Sequence, residues 1–193
     1  MKIGIFGGSF DPVHVGHLLA ASESADRLGL DEVQFVTAAR PPHKRIATPA
    51  EARHEMVVLA TIGDLRFRAS RLELDHAGPT FTVDTLRRAR GLWPGAELYF
   101  ITGADAYHDI STWREPEALV ELAQMVAVSR PGYDIKRIDP FFRERVIPLE
   151  IPGYELSSTE IRARVAEGRS VRYLVPYEVE VYIAKHGLYQ SHS

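Results

Sequence analysis

Short runs that are apolar throughout, rather than at alternate positions, recur between stretches of helical period along this chain. KIGIFG (2–7), EVQFVTA (32–38), ELYFITG (97–103), MVAVSRPG (125–132) and RVIPLEI (145–151) are the clearest, with LRFRAS (65–70) between the second and third. A strand with one wet face alternates, whereas a strand covered on both faces is apolar continuously. The runs are separated by helical patterns at 17–29, 48–63, 80–91, 116–123, 157–168 and 176–187. That alternation predicts an α/β fold, a doubly wound parallel sheet with helices on both faces. Thr48, Pro49 and Glu51 are expected to cap the second helix as a capping box, and Ser157 with Glu160 the fifth. LELDHAGP (72–79) is expected to be extended. Residues 1–189 are expected to form one domain and 190–193 a flexible tail.

With 193 residues, such a chain can bury one sizeable core without staples. It has no cysteine, which excludes disulfides, thiolate metal sites and a cysteine nucleophile. The net charge of −3 argues against a polyanion-binding protein of the basic kind. No apolar run approaches the roughly 20 residues that span a bilayer, and the glycine-broken start is too short for a secretory signal. A cytoplasmic protein is expected.

The first strand runs into Gly7-Gly8-Ser9-Phe10-Asp11-Pro12, followed by His14 and His17. In a doubly wound sheet, ligands bind beyond the carboxyl ends of the strands. Glycines there admit backbone amides to an anion, Ser9 adds a hydroxyl, and the next helix contributes free amides and a positive dipole end. His14 and His17, spaced by three, can turn both rings to one phosphate. The glycines match neither the dinucleotide fingerprint nor the P-loop, and strand two ends in Thr37-Ala38 with no acid for a ribose. A plain tight turn accounts equally for two glycines. Zinc would need a third ligand, and His43, His54, His76 and His108 lack motif spacing.

GGSFDPVHVGH resembles the signature of nucleotidyltransferases that carry an H-x-G-H motif, a motif type shared with class I aminoacyl-tRNA synthetases. PPHK (41–44), TFTVDTL (80–86), GADAYHDISTW (103–113), SRPGY (129–133) and LSSTEIR (156–162) follow in the order seen in bacterial nicotinate-nucleotide adenylyltransferases. The likeness runs from Lys2 to about Tyr189. Phe81 and Leu156 depart conservatively from the common Tyr and Ile.

The resemblance implies an enzyme of NAD biosynthesis that joins ATP to nicotinate mononucleotide, giving deamido-NAD and pyrophosphate. The mononucleotide phosphate would attack the α-phosphorus in line, with no covalent intermediate. Carried over by motif, His14, His17 and Arg162 would be catalytic. Gly7, Gly8, Ser9, Phe10, His17, Gly103, Asp105, Ser157, Ser158, Thr159 and Arg162 would bind ATP. His43, Lys44, Thr82, Thr85 and Trp113 would bind the mononucleotide. Mg²⁺ would be carried in by ATP, with no protein ligand named. On the residues alone, Asp105, Thr82 and Thr85 read as well as helix caps, and His43-Lys44 as an ordinary basic loop. No nucleic acid or membrane partner is expected, and a homo-oligomer remains open. A phosphopantetheine adenylyltransferase should lack the TFTVDTL and GAD…W pair. A sensor domain would be expected to lose His14, His17 or Arg162. A synthetase would need an anticodon module and a K-M-S-K-S run.

Overall fold

A computed structural model of the chain describes residues 1–41, 46–129, 138–152 and 156–191. Six strands form one sheet: β1 (Lys2–Gly8), β2 (Glu32–Thr37), β3 (Phe67–Ser70), β4 (Glu97–Gly103), β5 (Gln124–Ser129) and β6 (Val146–Glu150). Every pairing is parallel and the order is β3-β2-β1-β4-β5-β6. The doubly wound expectation holds. The order reverses between β1 and β4, where Phe6 pairs with Ile101. The chain leaves these two strands in opposite directions, so a crevice opens beyond their carboxyl ends.

Two cores flank the sheet. Phe6, Phe35, Phe67 and Ile101 pack beneath α1 (Val15–Leu28), α2 (Ala50–Thr61), α6 (Ser158–Ala166) and α7 (Tyr177–Lys185). Ile3, Ile5, Val36, Leu98 and Phe100 pack on the other face beneath α3 (Thr82–Leu92), a 3₁₀ segment (Ala104–Thr112), α4 (Pro116–Leu122) and α5 (Pro140–Arg143). Burial on both faces is the reason the strands read as continuous apolar runs. Among the described residues, no helix is long and apolar enough to cross a membrane.

Three local expectations change. Pro49, not Thr48, occupies the cap position of α2, because its carbonyl takes the first helical bond from Arg53. No side-chain cap forms there. LELDHAGP is not extended: Asp75 N–H donates to Arg71 and His76 N–H to Glu73, making turns. The 3₁₀ segment and the four-residue α5 had too little periodicity to be seen in the sequence. Ser157 does cap α6, its side chain accepting from Glu160 N–H at 3.1 Å.

Candidate active site

At the crevice of the strand reversal the glycine loop, the His14–His17 pair, the end of β4 and the amino end of α6 come together. Gly7 and Gly8 end β1, and Gly103 ends β4, exposed at the rim. The missing side chains at Gly7 and Gly8 make room for rings: added Cβ atoms would lie 3.2 Å from Phe100 and 2.8 Å from Phe10. Phe10 itself adopts φ 47° and is 1% exposed, packed edge-on against Phe6 and His17. Its ring belongs to the core, so only its backbone is open to a ligand.

His14 and His17 stand at the start of α1 with rings stacked, centroids 3.7 Å apart. Gly16 lies between them, where a Cβ would come within 3.1 Å of the His14 ring and push it aside. The backbone N–H of His14 donates to His17 Nδ1 at 3.2 Å, which leaves the His17 proton on Nε2 as an outward donor. Burial lowers His14 to about 4. Burial, and then His14 beside it, pushes His17 well below the ordinary histidine value. Both rings are therefore neutral near pH 7, donors without charge.

Charge comes from α6. Arg162 donates from Nη1 to the backbone carbonyl of Asp11 at 2.7 Å and from Nη2 to Thr159 Oγ1 at 3.2 Å. Ser158 Oγ donates to the Pro12 carbonyl at 2.9 Å. These bonds dock the amino end of α6 against the glycine loop. Ser158 thereby spends its hydroxyl proton, whereas Ser157 and Thr159 accept, from Glu160 N–H and from Arg162, and keep their O–H donors beside the helix amides. Asp105 lies exposed in the 3₁₀ segment, next to Gly103.

On the other side of the crevice stands the amino end of α3. Thr82 is half-buried at its first position. Thr85 is 2% exposed and its hydroxyl donates to Glu73 Oε1 at 2.6 Å. That bond anchors the helix to the 72–79 segment. Trp113 ends the 3₁₀ segment, edge-on to Phe100 and parallel to Tyr107, centroids 6.3 and 6.4 Å away. Phe100 thus links Trp113 to the end of β1. Arg114 lies over the Phe81 ring at 4.9 Å, joining the Trp113 segment to α3. His43 and Lys44 lie outside the described residues. The chain leading to them is fixed beside α3, since Thr80 N–H donates to Arg40 and Arg40 Nη1 to the carbonyl of His76.

Sequence reading missed three groups. Arg53 of α2 is 1% exposed and donates to the carbonyls of Ser9 (2.5 Å) and Thr48 (3.2 Å). Burial lowers its basicity, with Asp11, Tyr189 and Glu73 acting in the opposite sense. The available signal was a charge on an apolar stripe shared with Met56, Val57 and Ala60. Asp11 is 6% exposed and accepts from the Tyr189 hydroxyl at 2.8 Å. Tyr189 has no local signature. Among the described residues, no three histidine or acidic side chains converge as a metal site.

The family model described as cytidylyltransferase-like matches residues 5–164. A Thermus thermophilus protein named "Probable nicotinate-nucleotide adenylyltransferase" is 62% identical over 190 residues, covering 98% of this chain and all of that one. A protein of the same name from Leifsonia xyli is 52% identical over 98% of this chain and 94% of its own length. The structure of a Plasmodium falciparum nicotinic acid mononucleotide adenylyltransferase complexed with NaAD superposes with a TM-score of 0.82. That match has 25% identity and covers 97% of each chain.

Because both histidines are neutral in the folded protein, they take up protons more readily when it unfolds. Stability is therefore complete above the unfolded value of about 6.5 and falls as pH drops toward about 4. Between pH 7.5 and 4.5, His14 should cost roughly 2 to 3 kcal/mol. Urea denaturation at both pH values should show a smaller drop for His14→Asn than for the parent. Equal drops would contradict the burial of a neutral ring.

Proposed function

The chain belongs to the nicotinate-nucleotide adenylyltransferases, a cytidylyltransferase-like family, and we propose from that premise how its residues divide the labour. It is an enzyme that transfers the adenylyl group of ATP to nicotinate mononucleotide, giving deamido-NAD and pyrophosphate. The observation supporting the residue assignment is the meeting of the His14–His17 stack, Arg162 and the α6 amino end at the strand reversal.

The acceptor phosphate is already an anion, so no protein nucleophile or base is needed. Catalysis then rests on alignment and on stabilising charge at the transferring phosphorus and the leaving pyrophosphate. The His17 Nε2 proton, with His14 stacked behind it, donates to ATP phosphate oxygens. Arg162 supplies full charge, and the amides of Gly8, Ser9, Ser158 and Thr159 complete the cradle. Asp105 and Gly103 at the β4 end receive the ATP ribose. The backbone of Gly7 and Phe10 shapes the floor. Trp113 gives the pyridine ring a flat apolar face, and the α3 amino end at Thr82 holds an anionic group of the mononucleotide. His43 and Lys44 are assigned to the mononucleotide by the PPHK motif alone. Nucleotidyltransferases generally use a divalent cation with ATP; here that ion is Mg²⁺, held through the phosphates.

Pyrophosphate release from Mg-ATP should be measured with nicotinate mononucleotide, nicotinamide mononucleotide and phosphopantetheine as acceptors. Strong preference for the first is expected. Preference for phosphopantetheine would overturn the acceptor assignment. His17→Ala should keep its fold by circular dichroism and lose about 10²- to 10³-fold in kcat, the usual cost of one transition-state donor. Near-normal turnover would remove His17 from the mechanism.

A further inference from the structure

We propose that Tyr189, beyond the last helix, is a positioning residue that keeps Arg162 available to ATP by occupying the carboxylate of Asp11. The inference rests on the reading of Arg162 as an ATP-phosphate ligand.

Asp11 is a buried acid inside the glycine loop, and a buried carboxylate draws in whatever donors reach it. The guanidinium of Arg162 is a nearby cation, its side chain 30% exposed. It spends its Nη1 bond on the Asp11 backbone carbonyl and is only loosely ion-paired with the carboxylate, that nitrogen lying 3.7 Å from Oδ2, beyond hydrogen-bond range. The other carboxylate oxygen, Oδ1, takes the Tyr189 hydroxyl at 2.8 Å. Arg53 lies on the same side and adds its field to Asp11. Tyr189 reaches this point from across the chain, with its own backbone in the left-handed region at φ 63°. Burial, together with the Asp11 charge, pushes its pKa well above the ordinary tyrosine value, so it remains a donor at every working pH.

Without that hydroxyl, Oδ1 is left unpaired in a buried place. A shift of about 1 Å would tighten the loose 3.7 Å ion pair of Arg162 with Asp11 into a charge-assisted hydrogen bond, the stronger kind. Arg162 would then be drawn away from the phosphates. The mononucleotide half, built on α3 and Trp113, shares none of these contacts.

The test is a set of mutant cycles. Mg-ATP affinity by calorimetry and both KM values by pyrophosphate release are measured for the parent, Tyr189→Phe, Asp11→Asn and their double variant. A second set places Tyr189→Phe in an Arg162→Ala background and needs no change at Asp11. Tyr189→Phe should weaken Mg-ATP about tenfold and leave the KM for nicotinate mononucleotide within about twofold. In either background the same change should cost less than about twofold, because either the competing carboxylate or the arginine is gone. Full additivity, or equal shifts for both substrates, would show a merely structural tyrosine and overturn the inference. An Arg162→Ala protein that binds Mg-ATP like the parent would overturn the underlying reading of Arg162 instead, and this proposal with it.

Discussion

The backbone from Ser9 to His14 is pinned by cations that arrive from two helices on one face of the sheet. Arg53 of α2 holds the carbonyl of Ser9, and Arg162 of α6 holds that of Asp11. Ser158 adds a bond to Pro12. Loop carbonyls that face inward need donors, since a buried polar group left unpaired costs about 1 to 3 kcal/mol. With the carbonyls turned inward, the loop amides and the start of α1 are left to face the crevice. The stacked histidines take their position from that start. The phosphate-facing surface therefore depends on side chains placed behind it.

The electrostatic design follows from burial. Two histidines in contact could not both be charged without repulsion, and burial keeps both neutral. A neutral donor can approach a phosphate without being titrated by it. Positive charge at the crevice comes from Arg162 and from the amino ends of α1 and α6. This division suits a reaction whose nucleophile comes with the substrate. It asks the protein for fixed donors and fixed distances rather than for a base.

The sheet was legible because its strands are covered on both faces and so are apolar throughout, as in ELYFITG. The glycine loop, the histidine pair and the Ser157 cap were legible because each is local: the residues that act together are neighbours in the chain. Arg53, Asp11 and Tyr189 were not, because their partners are 44 and 178 residues away. The 72–79 segment was misjudged because Arg71 and Glu73 close turns that propensity alone does not announce. Phe10 and Thr85 belong to the motifs, and both side chains are buried, which the motifs alone did not announce.

The central claim is that the adenylyl group passes directly from ATP to the acceptor, with no bond to the protein. The most direct measurement uses ATP made chiral at the α-phosphorus by a single sulfur, followed by stereochemical analysis of the deamido-NAD product. One in-line displacement inverts the phosphorus, and inversion is the predicted result. Retention would mean two displacements through an adenylylated side chain, which would contradict the account.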